Sequence, residues 1–321
     1  MSFRNTLPTG IVADVCYREH RTSRRHPECP ERFDAALAGI QDSVSESRLV
    51  DIPVREASLE ELALCHSPRY IQAVSEDVMM GRPTLRTGDT DLSPLSFDVA
   101  RRAVGGTLSA VDAVLDGSVK NAFCVLRPPG HHAEADRGMG FCIFNNAAVA
   151  ARYAQRCEGV DRVLIADWDV HHGNGTQWIF YDDPSVFYFS THQWGNFPGT
   201  GRRNDEGAGD GRGATLNIPL PGGAGRAEVL GAFRQKLIPA MKQFKPQFVI
   251  ISAGFDCEAG DPLGGFGLVE EDFVDLTSVM MEIADEYADG RLVSVLEGGY
   301  RLEGLRSLCG AHVNRLAQAA G

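Results

Sequence analysis

The chain reads as an α/β fold, a single doubly wound domain in which a mostly parallel sheet is flanked by helices. Three observations lead there. Short, apolar, β-branched runs recur without the polar alternation of a half-solvated strand, as expected of strands buried on both faces of a parallel sheet. Helical segments lie between these runs, and strands alternating with helices build βαβ units. Polar residues of unusual kinds gather directly after the runs, where an open α/β sheet binds its ligands.

In chain order, the first strand is expected at 11–13. Ser67-Pro68 then opens a helix over 69–80, and Ser93-Pro94 opens another over 95–115. A serine oxygen accepts from the free N–H groups of a first turn, and the missing N–H of proline costs nothing at the first helical position. Strands follow at 122–126, 163–166 and 186–189, with a helix over 145–156 after the first of them. The glycine-rich stretch 195–213 predicts a long loop. Helices over 227–244 and 270–287, with apolar residues three and four apart, flank a strand at 248–252, and the last strand is 292–296. No repeat or linker interrupts the chain, which predicts one domain over 1–321.

Composition narrows the function classes. A chain of 321 residues, 43% apolar and 23% charged, can bury about three quarters of its unfolded surface. No run of 18 apolar residues and no signal-like N-terminus is present, so a membrane span is disfavoured and a cytoplasmic setting is expected. The net charge of −12 argues against a nucleic-acid partner and for a cationic one. Eight cysteines without CxxC spacing read as buried thiols, neither a disulfide framework nor a cysteine zinc site. Oligomeric state leaves no mark in the sequence.

Four strand ends carry the chemistry. After 122–126 comes Arg127-Pro-Pro-Gly-His131-His132, and after 163–166 comes Asp167-Trp-Asp169-Val-His171-His172-Gly-Asn174. After 248–252 comes Ala253-Gly-Phe-Asp256, and after 292–296 comes Glu297-Gly-Gly-Tyr300. Asp169 and His171 stand two apart at a strand end, so their side chains leave on one side and can share an ion, with Asp256 as a third ligand. Three protein ligands with an open position form the catalytic arrangement for zinc, whereas a structural site is closed and usually rich in cysteine. One such Asp or His alone would more often cap a neighbouring helix, and the His pair alone would more often be a loop contact. It is the convergence of four ends that favours a site. Trp168 and His172 read as packing or supporting residues.

Four runs carry a resemblance: RPPGHHAEADRGMGFCIFNN over 127–146, DWDVHHGNGTQ over 167–177, SAGFDCEAGDPLGG over 252–265, and LEGGY over 296–300. They are long, ordered and spread over most of the chain, and with them it resembles the histone deacetylase family of the arginase-deacetylase fold, its class II branch in particular. The resemblance implies zinc held by Asp169, His171 and Asp256, polarising both a water and the scissile amide carbonyl. It implies Tyr300 as the donor to the oxyanion and His132 as the residue that takes and returns the proton. His131 would be held by Asp167, whose charge favours the imidazolium form. Asn174 stands where some members carry a second Asp, so His132 should stay neutral. The same resemblance lines a narrow acyl-lysine tunnel with Phe141 and Phe197, Gly140 preceding the first, two aromatic faces gripping a methylene stem. Potassium ions on backbone carbonyls near the zinc motif are usual in this family. The implied substrate is an acetylated lysine peptide or a small acylated amine.

Rival functions remain open at this point. A binuclear manganese ureohydrolase of the arginase type shares the fold but needs a carboxylate two residues after the metal-binding His, where this chain has Gly173. A catalytically weak acyl-lysine reader should have lost its electrophile, yet Tyr300 and both histidines are present. An acetylpolyamine amidohydrolase shares the chemistry and suits the acidic charge.

Overall fold

The computed structural model describes residues 7–318. Eight strands form one sheet: β1 (Thr9–Ala13), β2 (Leu49–Asp51), β3 (Asn121–Val125), β4 (Val163–Asp167), β5 (Val186–Gln193), β6 (Thr215–Leu220), β7 (Phe248–Ala253) and β8 (Leu292–Leu296). Their order is β2-β1-β3-β8-β7-β4-β5-β6, and every pairing is parallel, so the expected mostly parallel sheet is parallel throughout. β3, β4, β7 and β8 are buried along their whole length, which is why their sequences show no alternation.

Helices cover both faces. Ser96–Leu115 and Asn146–Ala154 pack together on one, and Glu31–Ser43, Leu302–Ala317 and Glu270–Tyr287 on the other. No helix among the described residues is long and apolar enough to cross a membrane. β8, the last strand in sequence, lies between β3 and β7 and is the sole link between the two halves of the sheet. That placement positions the site, because the His pair follows β3 while the candidate metal ligands follow β4 and β7.

The sequence-based boundaries hold for the six central strands to within a few residues. The Ser67 cap is present, its Oγ accepting from the Tyr70 N–H at 3.2 Å, and the helix it opens is Pro68–Met79. Three expectations need correction. The helix expected from Ser93-Pro94 starts instead at Ser96 after the non-capping Leu95, and Ser96 Oγ accepts from the Ser93 N–H at 2.7 Å. The helix expected over 227–244 is Arg226–Ala232 and Ile238–Phe244 joined by a π turn, in which the Ile238 N–H reaches back to the Phe233 carbonyl. Pro239 explains it: its ring and missing N–H displace the preceding carbonyls, and the helix widens one turn earlier. Of the eight cysteines, all free thiols, Cys16, Cys29 and Cys157 are only partly buried.

The elements absent from the sequence-based list have physical reasons. β2 is a three-residue, half-exposed edge strand, and β6 carries Pro219, which only an edge tolerates. The helix Leu302–Ala317 contains Gly304 and Gly310, poor helix formers in isolation. Gly39 of the helix Glu31–Ser43 lies against it so closely that an added Cβ would fall 1.7 Å from the Arg306 carbonyl oxygen. Glycine at this crossing is a packing requirement that no periodicity reveals.

Candidate active site

Four strand ends deliver the site. β3 runs out into His131 and His132, β4 into Asp167, Asp169 and His171, β7 into Asp256, and β8 into Glu297 and Tyr300. All are buried except Tyr300, which is half-buried.

Asp169, His171 and Asp256 converge. His171 Nδ1 lies 3.0 Å from Asp169 Oδ1 and 3.1 Å from Asp256 Oδ2. One donor atom from each residue falls within 4.8 Å of the others. Their remaining oxygens are pinned by backbone N–H groups, Asp169 Oδ2 by Gly298 at 2.8 Å and Asp256 Oδ1 by Val170 at 2.9 Å. Burial and the neighbouring Asp169 charge push the Asp256 carboxyl above its usual range. Against the opposing effect of burial, the two carboxylates raise His171 to about 10. Two buried carboxylates sharing one imidazole form a donor set that a divalent cation would neutralise. The backbone is cut to fit: a Cβ at Gly298 would lie 2.1 Å from Asp256 Oδ2, and one at Gly254 would lie 2.2 Å from Asp169 Oδ2. Donor chemistry, spacing and cradle all suit zinc.

The two histidines differ in their partners. His131 Nδ1 lies 3.1 Å from Asp167 Oδ2, which also accepts from the Tyr188 hydroxyl at 3.0 Å. Burial alone would lower His131, but Asp169 and Asp167 outweigh it and hold the ring up at about 10. His132 Nδ1 faces Asn174 Oδ1 at 2.8 Å. Burial, then the positive His131 and His171, depress His132 well below its usual range, so this ring is neutral. An amide opposite His132 and a carboxylate opposite His131 thus help to leave one of two adjacent imidazoles neutral and the other cationic.

A cavity of about 230 Å³ opens onto these groups. His132, Gly140, Phe141, His171, Phe197 and Tyr300 line it, together with Asp89, Asn196 and Leu263. The Phe197 ring stands edge-on to His132 at 5.0 Å, and Phe141 edge-on to Tyr300 at 5.9 Å. Burial raises the Tyr300 phenol well above its usual range, against the lowering effect of Arg32, so its proton stays available for donation. Gly140 has φ +56°, and a Cβ there would approach His132 Cδ2 to 2.4 Å and Phe197 Cε1 to 2.8 Å. Gly140→Ala is therefore expected to displace both rings, lowering kcat/KM for an acyl-amine substrate about tenfold or more while secondary structure stays intact. Parallel turnover and circular dichroism measurements check this, and an unchanged kcat/KM would count against the cavity as the substrate site.

Several site residues show no role in sequence, even where, like Glu297 and Arg127, they directly follow strands. Glu297 accepts from the Gly130 and His131 N–H groups at 2.7 and 3.1 Å and from Ser252 Oγ at 3.0 Å, fixing the turn that presents the His pair. Asp89 accepts from the Gly140 N–H at 2.8 Å. Behind Tyr300 lies a buried ionic cluster: Glu28 accepts from Arg127 Nη2 at 2.7 Å and from Arg32 at 3.2 Å. Burial would raise the Glu28 carboxyl, but Arg127 and Arg32 hold it down at about 2. Arg32 also donates to the Gly299 carbonyl at 2.7 Å and places its guanidinium 4.9 Å from the Tyr300 ring centroid. At Gly173, where a ureohydrolase would need a carboxylate, a Cβ would lie 2.3 Å from Asp167 Oδ2 and 2.6 Å from the Tyr188 hydroxyl. A side chain bridging a second ion has no room there.

Comparisons with known proteins point the same way. Residues 26–316 match the model of the histone deacetylase domain. The human polyamine deacetylase HDAC10 is 43% identical over 315 residues, covering 92% of this chain and 46% of that protein. A probable deacetylase of Archaeoglobus fulgidus is 39% identical over 300 residues, covering 93% of this chain and 83% of that protein. The crystal structure of the HDA15 HD domain superposes with a TM-score of 0.91 at 36% identity, over 98% of this chain and 89% of that one. The chain spans about half the length of the human and mouse HDAC10 proteins, 46% and 44%.

Proposed function

Since this chain belongs to the histone deacetylase family, we propose that it is a zinc-dependent hydrolase that removes acetyl or similar acyl groups from a lysine-like amine. The observation that carries this is a single cavity onto which His132, His171 and Tyr300 open, with His171 joined to two buried carboxylates. At about 230 Å³ it is smaller than the usual drug-sized pocket, which suits a linear acyl-amine stem.

Asp169, His171 and Asp256 would hold the metal, which when bound supplies Lewis-acid polarisation of a carbonyl and a water of lowered pKa. The protein groups do the rest. Phe141 and Phe197 receive the methylene stem and exclude water. His132, neutral with a free Nε2, takes the proton of the attacking water and returns it to the leaving amine. His131, held as a cation by Asp167, offsets negative charge developing beside it. Tyr300 donates its hydroxyl to the carbonyl oxygen as it becomes an oxyanion.

Tyr300→Phe removes that one donor and leaves the ligands and histidines in place. Loss of such a donor lowers turnover about a hundredfold to a thousandfold. Hydrolysis of an acetyl-lysine peptide by the variant, with metal content measured alongside, tests the assignment. A change under about threefold would place Tyr300 outside the reaction.

A second substrate reading has specific support. Relatives from human, mouse, rat and zebrafish are named polyamine deacetylases, and the net charge of −12 would attract a polycation. Competition between acetylspermidine and an acetyl-lysine peptide separates the two substrates. Binding without hydrolysis of either would identify an acyl-lysine reader instead.

A further inference from the structure

We infer that Glu134 is a positioning residue which, through Asn174, fixes the proton of His132 on Nδ1. The consequence for catalysis rests on the proton role proposed for His132. The inference itself rests on who can donate to whom.

The Asn174 side chain sits between two groups, with Oδ1 2.8 Å from His132 Nδ1 and Nδ2 2.7 Å from Glu134 Oε1. The other neighbours of Nδ2 are acceptors too, the His132 carbonyl at 3.4 Å and the Met139 sulfur at 3.5 Å. A carboxylate has no proton to give. The amide must therefore turn its NH2 toward Glu134 and its carbonyl toward the ring. That carbonyl only accepts, so the imidazole proton sits on Nδ1 and Nε2 keeps its lone pair. Rotating the amide would set its oxygen against the Glu134 carboxylate and its NH2 against Nδ1. Nδ1 would then need the lone pair, the proton would move to Nε2, and the ring could no longer take a proton there.

Glu134 is itself anchored from both ends of its peptide. Its N–H donates to the Arg137 carbonyl at 2.8 Å, and its carbonyl accepts from His66 Nδ1 at 3.0 Å. His66 Nε2 accepts from the Asn145 N–H at 2.9 Å, which leaves its proton on Nδ1 for that bond. Two donor series thus meet at Glu134, one from the Asn145 N–H through His66 to its carbonyl and one from His132 Nδ1 through Asn174 to its carboxylate. Asn174 belongs to the β4 side of the site and Glu134 to the β3 side, so the pair also sets how the two segments face each other.

The test uses the zinc-loaded full chain and two readouts. Ring 15N chemical shifts distinguish a protonated from an unprotonated nitrogen, and steady-state kinetics on one acetyl-lysine peptide separate kcat from KM. Wild type is expected to show His132 as a single tautomer, Nδ1–H. Glu134→Gln can both donate and accept, so it permits both amide orientations. It should give mixed tautomers and about a twofold fall in kcat with KM unchanged. Glu134→Lys can only donate, so it reverses the amide. It should give mainly Nε2–H and a fall in kcat of about tenfold or more. Adding Asn174→Asp to Glu134→Lys replaces the reversible amide by a pure acceptor and should return the proton to Nδ1, with Nε2 also protonated in the fraction of rings that the new carboxylate charges. Persistence of Nδ1–H in Glu134→Lys, or failure of Asn174→Asp to restore it, would overturn the inference. Absence of turnover in wild type on every acyl-amine would sink the proposed function, while the shifts in the same samples still decide the role of Glu134.

Discussion

Removal of divalent metal is expected to abolish acyl-amine hydrolysis completely, and zinc alone to restore it. The reason lies in how little else the site offers as an electrophile. Tyr300 is one neutral donor, and the nearest cations, His131 and His171, are each committed to carboxylates. Asp256→Ala removes one of three ligands and should lose metal affinity by orders of magnitude, with activity falling in step. Metal content after dialysis, read by elemental analysis beside turnover, checks both halves. If stripped protein hydrolyses an acetyl-lysine peptide at the untreated rate, Asp169, His171 and Asp256 serve some other purpose. Asp256 also accepts from the buried Val170 N–H, so its loss should lower the melting temperature as well. The metal measurement distinguishes this from simple unfolding.

The second large effect separates the adjacent histidines, whose rings lie only 4.0 Å apart between centroids. His132→Ala removes the proposed proton carrier and should lower turnover about a hundredfold to ten-thousandfold. His131→Ala removes a cation that acts only through its field, so a weak but measurable rate should survive. Its penalty should appear elsewhere, because Asp167 would remain buried with Tyr188 as its one side-chain donor. Stranding a buried charge in this way typically costs about 3–5 kcal/mol, so His131→Ala should be the less stable of the two. Turnover, metal content and thermal melting of both variants decide the matter. Equal residual rates, or the reverse order, would exchange the two roles and leave the metal site standing.

Much of this site was legible in sequence because its parts follow strands at once. Asp169 and His171 stand two residues apart after β4, and His131 and His132 adjoin after β3, so a strand-end rule finds them without knowing the topology. Asp256 and Tyr300 are found by the same rule. Glu28, Arg32 and Asp89 obey no local rule, and Arg127 and Glu297, though they follow strands, give no hint of what they hold. Arg127 meets Glu28 across 99 residues, and Arg32 meets the Gly299 carbonyl across 267. Each alone is an ordinary charged residue, and only the folded chain brings them together behind Tyr300. Asp89 lies in a loop with no apolar periodicity, and only the fold brings it to the Gly140 N–H and the cavity wall. The helix Leu302–Ala317 stayed hidden for the opposite reason, since the glycines that let it pack closely also erase its propensity.

The central position of β8 has a consequence for synthesis. A ribosome delivers β1 to β3 and then β4 to β7 long before Leu292 appears, so the nascent chain holds two sheet fragments that cannot pair with each other. The inner edges of both, β3 and β7, are apolar and open until β8 emerges. Such edges invite pairing with neighbouring chains. Insertion of β8 closes both edges, sets the His pair against the candidate metal ligands and brings Tyr300 with it. Catalytic competence and protection from aggregation therefore arrive in one folding event. A chain truncated before β8 should be both inactive and insoluble, and late folding help, rather than early, should raise its yield.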